Sequence, residues 1–266
     1  MDRDAVLAAY DEQIRRHPQP DTPEGRIERE DGVVRRVEPG KGWSGVTWSD
    51  LDEARADAVI AAQVRRFADV PGRWEWKHYS YDRPPDLPER LLAAGFEREP
   101  TEALLVAELA ELALDTAPPS GVELRPVLDE PGAAALVAVV DEVFGGDHAH
   151  LGSALLGHIA REPSTAAAVV AFAEGVPIAS GRVEFPERGD FAGLWGAATV
   201  PAWRGRGAFR SIVAHRARLA AARGYRYLQV DASDDSRPIL ERLGFVALAT
   251  TTPFVLSSPP GPRTRG

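Results

Sequence analysis

Cysteine is absent from the 266-residue chain. That excludes disulfides, thiolate-ligated zinc or iron-sulfur centres and a cysteine nucleophile, so any chemistry here proceeds without a protein thiol. Long apolar runs are missing too, and nothing approaches the ~18 uninterrupted apolar residues of a membrane span. The first residues show no basic stretch followed by an apolar run, so no secretory signal is read and the cytoplasm is the expected location. Lysine is nearly missing: Lys41 and Lys77 are the two lysines among 31 basic residues, which with abundant alanine points to a GC-rich bacterial genome.

What is present suffices for a folded core, since 44% of the residues are hydrophobic and 27% charged, far from the composition of disordered chains. The length allows one large domain or two ordinary ones. The net charge of −9 is unevenly spread: residues 1 to 118 carry 16 basic and 25 acidic side chains, and residues 119 to 266 carry 15 of each. An acidic first half argues against a nucleic-acid surface, which needs clustered Lys and Arg. Solubility explains the excess, and affinity for a cationic ligand is the other reading.

Apolar spacing predicts a helix over 2 to 17, stopped by Pro18. Strands follow at 26 to 30, 33 to 37 and 43 to 48, with Asp31-Gly32 as a hairpin turn. A helix is expected over 51 to 68, capped by Ser49 or Asp50 and facing inward with Leu51, Ile60, Val64 and Phe67. Then come a strand at 73 to 80, a helix at 87 to 94 and a strand at 101 to 109. The run DTAPPSG, 115 to 121, reads as a linker. The division expected is 1–118, 119–256 and a flexible tail at 257–266.

The second half opens with a strand at 122 to 127 and helices at 132 to 144 and around 150 to 160. Three strands follow at 165 to 174, 178 to 185 and 191 to 200, joined as an antiparallel meander. Pro201, a Gly/Arg loop and a helix closed by Gly224 come next. The loop from Arg204 to Ala208 sits at that helix's N-terminus, where unpaired N–H groups and the macrodipole attract an anion. Gly205 and Gly207 permit close approach, and Arg204, Arg206 and Arg210 add charge suited to a pyrophosphate. A Walker loop fails because no lysine lies in this half; a dinucleotide fingerprint fails because Arg210 stands at the third glycine. The serine-hydrolase pattern G-x-S-x-G is absent.

Arg204, Gly205, Arg206, Gly207 and Ala208 resemble the [QR]-x-x-G-x-[GA] loop of the GNAT acetyltransferase superfamily, with Phe209 where that family usually has Gly or Ala, and 226 to 245, ending in Gly244-Phe245, resemble its fifth strand and fourth helix. The resemblance covers about 122 to 256. It implies acetyl-CoA as acyl donor, its pyrophosphate on the loop from Arg204 to Phe209 with Arg210 close by. Pantetheine would lie along Ala197, Ala198, Thr199 and Val200, with Ser233 near it. It further implies direct attack of a neutral amine on the thioester, with a backbone N–H near Thr199 stabilising the oxyanion. Two departures stand out. Leu240 occupies the place of the usual tyrosine acid, and Gly193 that of a glutamate base.

The base candidates are therefore Glu184 and Asp231, each of which has a plain alternative: an exposed ion pair for Glu184, a turn or cap for Asp231. Asp147, His148 and His150 form a D-H-x-H cluster without the further ligand a metal site needs, so no metal is expected. His215 and the tryptophans Trp195 and Trp203 read as packing.

The first half repeats the order strand, helix, Gly-Phe, strand, with Gly95-Phe96 answering Gly244-Phe245, but no glycine lies between Trp48 and Ala68. The fold class expected is α+β: two GNAT-like domains, the first lacking the anion cradle, each a largely antiparallel twisted sheet flanked by helices. The function implied is N-acyl transfer from acyl-CoA to a small amine, cationic if the acidic half serves it, by a monomer or homodimer. The alternative is a non-catalytic acyl-CoA-binding module.

Overall fold

The computed structural model describes residues 1–40, 42–70, 72–112, 116–161 and 163–257. Two compact units divide the chain. The first holds Met1–Leu104, Asp231–Asp234 and the chain from Ala247; the second holds Leu105–Val230 and Asp235–Val246. This division differs from the one expected at 118 and 119. The chain enters the second unit inside a strand, and the last strand returns to the first because its residues 251 to 257 pair antiparallel with 79 to 73. A Pro-rich run marks where regular pairing lapses; it says nothing of a strand that pairs far back along the chain. Asp115 of the expected linker and residues 258 to 266 of the expected tail lie outside the described residues.

In the first unit, α1 (Arg3–Tyr10) is capped by the Asp2 carboxylate, which accepts the Ala5 N–H, and continues through a wider π-type turn to Arg16. β1 (Arg26–Glu30) and β2 (Val33–Val37) form a hairpin on Asp31 and Gly32, whose φ values of 54° and 81° are the two positive angles a type I′ turn requires. β3 (Gly45–Ser49) pairs antiparallel with β2 and, across the crossover helix α2 (Ala56–Phe67), parallel with β4 (Arg73–Tyr79). α3 (Leu87–Ala93), β5 (Glu97–Arg98) and the start of β6 (Glu102–Glu108) follow.

The expected helix over 51 to 68 starts late, at Ala56, and neither Ser49 nor Asp50 caps it. The Asp52 carboxylate instead accepts the Arg55 N–H at 2.9 Å. Within the core, Phe67 stacks on Trp74 with ring centroids 4.2 Å apart and Phe96 meets that indole edge-on at 4.8 Å. Val64 lies only partly buried beside them, while Val59, Ile60, Leu87 and Leu91 are buried.

In the second unit, β7 (Val122–Pro126) leads to α4 (Glu130–Phe144), capped by Asp129, and to α5 (Ala149–Ile159). The meander is antiparallel as expected: β8 (Ala166–Ala173), β9 (Val176–Glu184), β10 (Phe191–Thr199). α6 (Ala208–Ala222) crosses to β11 (Tyr227–Ala232), parallel to β10, and α7 (Arg237–Arg242) precedes β12 (Val246–Ser257). Val139, Val169, Ile178, Ala179, Ala198 and Ile212 make one buried cluster between the sheet and its helices.

Both units thus run strand, helix, parallel strand, helix, Gly-Phe. Their two Gly-Phe turns match bond for bond. Gly95 and Gly244 take φ of 95° and 103°. Phe96 N–H donates to Leu91 O and Phe245 N–H to Leu240 O, each at 3.1 Å, while Gly95 bonds Leu92 O and Gly244 bonds Glu241 O. This is the Schellman arrangement, in which glycine takes the left-handed position and the following apolar residue packs back on the helix. The architecture is α+β, with largely antiparallel sheets flanked by helices.

Candidate functional site

The anion-facing loop is built by glycine geometry at the head of α6. Beyond Thr199 the chain makes a short 3₁₀ turn, in which Trp203 N–H donates to Val200 O at 2.9 Å. Gly205 and Gly207 follow at φ of 73° and 93°, a region that side chains with a Cβ rarely enter. The first intrahelical bond runs from Ser211 N–H to Gly207 O, so the amides of Ala208, Phe209 and Arg210 have no helical acceptor, and Gly207 offers no capping side chain. A Cβ on Gly205 would meet nothing within 4 Å. Three exposed arginines flank these amides in the chain: Arg204 donates to Thr199 O at 3.3 Å, Arg206 lies 4.9 Å from the Trp203 ring centre, and Arg210 is exposed. The head of α2 is different, because the Asp52 carboxylate already takes the place an anion would fill.

β10 and β11 pair only at Phe191 to Gly193 with Tyr227 to Gln229 among the described residues. Past Gly193 they part, and β10 follows β9 through a bulge between Trp195 and Ala198, where Gly196 has φ 57°. Thr199, at the end of this strand, keeps its Oγ1 buried without a hydrogen-bond partner. Of the other residues expected to meet the donor, Ala198, Val200 and Ala208 bury their side chains in the core, so only their backbone faces outward chemistry. Ala197 and Phe209 are half-buried, and Ser233 is exposed in the turn after β11.

Glu184 accepts from Arg182 Nε at 2.9 Å, both side chains partly exposed, and lies directly across from Gly193. A side chain at Gly193 would require the side chains of Gln229 and Trp195 to shift, since a Cβ there would sit 2.8 Å from Gln229 Nε2 and closer still to Trp195 Nε1. Leu240 is buried and serves the Schellman turn. Leu240 and the surroundings of Gly193 are thus taken up by packing. In the α4–α5 loop His148 Nδ1 lies 2.7 Å from Asp141 Oδ1, which also accepts the His148 N–H, while the His148 and His150 ring centres are 6.4 Å apart. His215 is half-buried, and burial followed by Arg218 and Arg216 pushes its pKa down.

Asp231 groups with the first unit, where it has a partner that sequence reading passed over. The Lys77 ammonium, on β4, forms an ion pair with Asp231 Oδ2, the carboxylate side chain being 2% exposed. Its other oxygen, Oδ1, is buried with no hydrogen-bond partner. Burial pulls the Lys77 pKa down, but Asp231, then Tyr10 and Glu75, outweigh it and leave it raised. Tyr10 and Tyr79, both buried, share a hydroxyl contact of 2.9 Å. Glu75 takes the Trp43 Nε1–H at 2.8 Å, and Glu102 is half-buried. Burial first, then Asp231, raises the Glu102 pKa to about 7. One signal was available in the sequence: a chain with two lysines places one of them amid the aromatics of RWEWKHYS.

The sign of the Glu102 shift fixes a pH effect. A carboxyl raised above its ordinary ~4.3 contributes stability that is full below that value and is lost as pH climbs through about 7. Glu102→Gln should therefore raise the urea midpoint of the protein at pH 8 relative to wild type and leave it unchanged at pH 4. An equal shift at both pH values would show that the side chain's charge is not what matters.

The fold and the loop together define an α+β protein with a glycine-built, arginine-rich helix N-terminus. The sequence pattern of the Acetyltransferase (GNAT) family matches residues 134–245. No curated protein matches the chain. Among solved structures, a GCN5-related N-acetyltransferase from Kribbella flavida superposes with a TM-score of 0.68 at 18% identity, covering 97% of this chain and 95% of that one. A conserved protein from Staphylococcus epidermidis gives 0.64 at 14%, covering 90% and 96%. A tandem GNAT protein from the clavulanic acid biosynthesis pathway gives 0.59 at 14%, covering 92% and 86%. At these identities the neighbours establish the fold, which is the GNAT fold along nearly the whole chain.

Proposed function

We propose that residues 119–256 move an acetyl or related acyl group from coenzyme A to the amine of a small molecule or peptide, in the cytoplasm, by direct attack of the neutral amine on the thioester. The carrying observation is the loop at the head of α6: two positive-φ glycines, three amides without helical acceptors and three exposed arginines. These suit a pyrophosphate. The parting of β10 from β11 beyond Gly193 supports a pantetheine-like chain running along Ala197 to Val200. A backbone N–H near Thr199 would face the developing oxyanion. Glu184 or Asp231 would take the proton from the attacking nitrogen, directly or through water.

A second reading, a non-catalytic acyl-CoA-binding module, draws support from the buried Leu240 and the crowded Gly193 position. Free-thiol release from acetyl-CoA over a panel of amines separates the two. Amine-dependent release above hydrolysis is the expected result; background release with every amine, alongside tight coenzyme A binding, would favour the module.

A further inference from the structure

An open cavity of about 510 Å³ lies wholly within the first unit, where the turn that follows α1 meets the β1–β2 hairpin and the end of β3. Strand register builds its wall. Arg29 stands across from Val34, and Val34 across from Trp48, so the three side chains form one row on one face of the sheet. Arg16 covers that row from the helical side. Its guanidinium carbon is 4.1 Å from the Trp48 ring centre, and Arg29 Nη2 donates to Arg16 O at 3.2 Å. At the hairpin end, Asp50 N–H donates to Gly32 O at 2.8 Å, which holds the backbone of Asp50 against the turn that carries Asp31.

The titratable side chains lining this cavity fall into two groups. Three are engaged: His17 Nδ1 lies 3.2 Å from Glu12 Oε1, and Glu30 accepts from Arg35 Nη2 at 2.8 Å. The other four, Arg16, Arg29, Asp31 and Asp50, are exposed and form no salt bridge among the described residues. Arg55 acts on both aspartates through its charge, but its Nε–H goes to Asp52. Two cations and two anions that line one cavity without pairing with each other are complementary to a ligand of both signs.

We propose that this cavity binds a zwitterionic amino acid, its carboxylate on Arg16 and Arg29 and its ammonium on Asp31 and Asp50. A plain anion would meet the two aspartates and a plain cation the two arginines, whereas a zwitterion satisfies both ends. The volume is that of a small-molecule site, and the half-buried Trp48 indole beside Val34 gives the ligand's side chain an apolar wall. The exposed charges make the binding weak and sensitive to salt. This site owes nothing to the acyl-transfer reading and stands or falls without it.

The test is calorimetry on the full chain at pH 7 and low salt with L-leucine, L-leucinamide and N-acetyl-L-leucine. Leucine should bind at least about fivefold more tightly than either derivative, since the amide lacks the carboxylate and the acetylated form lacks the ammonium. Arg29→Gln should weaken leucine by at least about fivefold and leave leucinamide unchanged. Asp31→Asn keeps a residue that tolerates the positive φ of the turn; it should weaken leucine to the same extent and leave N-acetyl-leucine unchanged. Leucine binding no better than that of either derivative would overturn the proposal. So would leucine affinity that persists in folded Arg29→Gln and Asp31→Asn proteins, which would place the amino acid elsewhere on the chain.

Discussion

Gly207→Val is expected to abolish coenzyme A binding, with a loss of at least roughly a hundredfold, or about 2.7 kcal/mol. Gly207 caps α6 at φ 93°, where a β-branched residue is strained by about 1 to 3 kcal/mol. Relief of that strain rotates the peptide planes on either side, and these carry the amides that would hold the pyrophosphate. Even without rotation, a valine side chain would stand beside Pro119, whose Cγ is 3.5 Å from the Cβ position, and over the amides themselves. Strain alone is separable from site loss. Gly175 turns β8 into β9 at φ 80°, and a Cβ there would meet nothing within 4 Å. Gly175→Val should cost similar stability and leave coenzyme A affinity intact. Unchanged affinity in a folded Gly207→Val protein would remove the donor assignment.

The elements that sequence reading located share one property: each is decided locally. Asp31-Gly32 specifies its hairpin because both residues tolerate positive φ, and Gly95-Phe96 and Gly244-Phe245 specify their turns by the Schellman bonds. The loop at the head of α6 was legible for the same reason, its glycines and arginines being contiguous. The start of α2 was misplaced because Ser49, Asp50 and Asp52 are all capable caps, and the choice of Asp52 depends on where β3 leaves the chain. The pairing of β12 with β4, and the Lys77–Asp231 contact, join residues far apart in sequence. Neither follows from periodicity. Asp231 stands at the end of a strand, where a base is expected, whereas its salt bridge depends on β4, far away in the sequence.

That salt bridge carries the largest expected effect on stability. Lys77→Met removes the ammonium that interacts with Asp231, Glu75 and Glu102, while the methionine stem fills most of the same volume. Leaving a buried carboxylate without its partner costs about 3–5 kcal/mol, and the Asp231 side chain is only 2% exposed. The deficit should depend on pH. Without the ammonium, Glu75 and Glu102, whose pKa values burial raises and Lys77 lowers, ionise still less readily in the folded protein, so stability is retained at low pH and lost as pH rises. Urea unfolding should therefore show a small difference from wild type at pH 4 and the full deficit at pH 8. Adding Asp231→Asn to Lys77→Met should recover part of the loss, because the neutral amide no longer needs a counter-charge, whereas Asp231→Asn alone leaves Lys77 among Glu75 and Glu102 and should cost less than Lys77→Met. If Lys77→Met is equally destabilised at pH 4 and pH 8, and the second substitution recovers nothing, the lysine matters to this unit as packing volume and not as a charge.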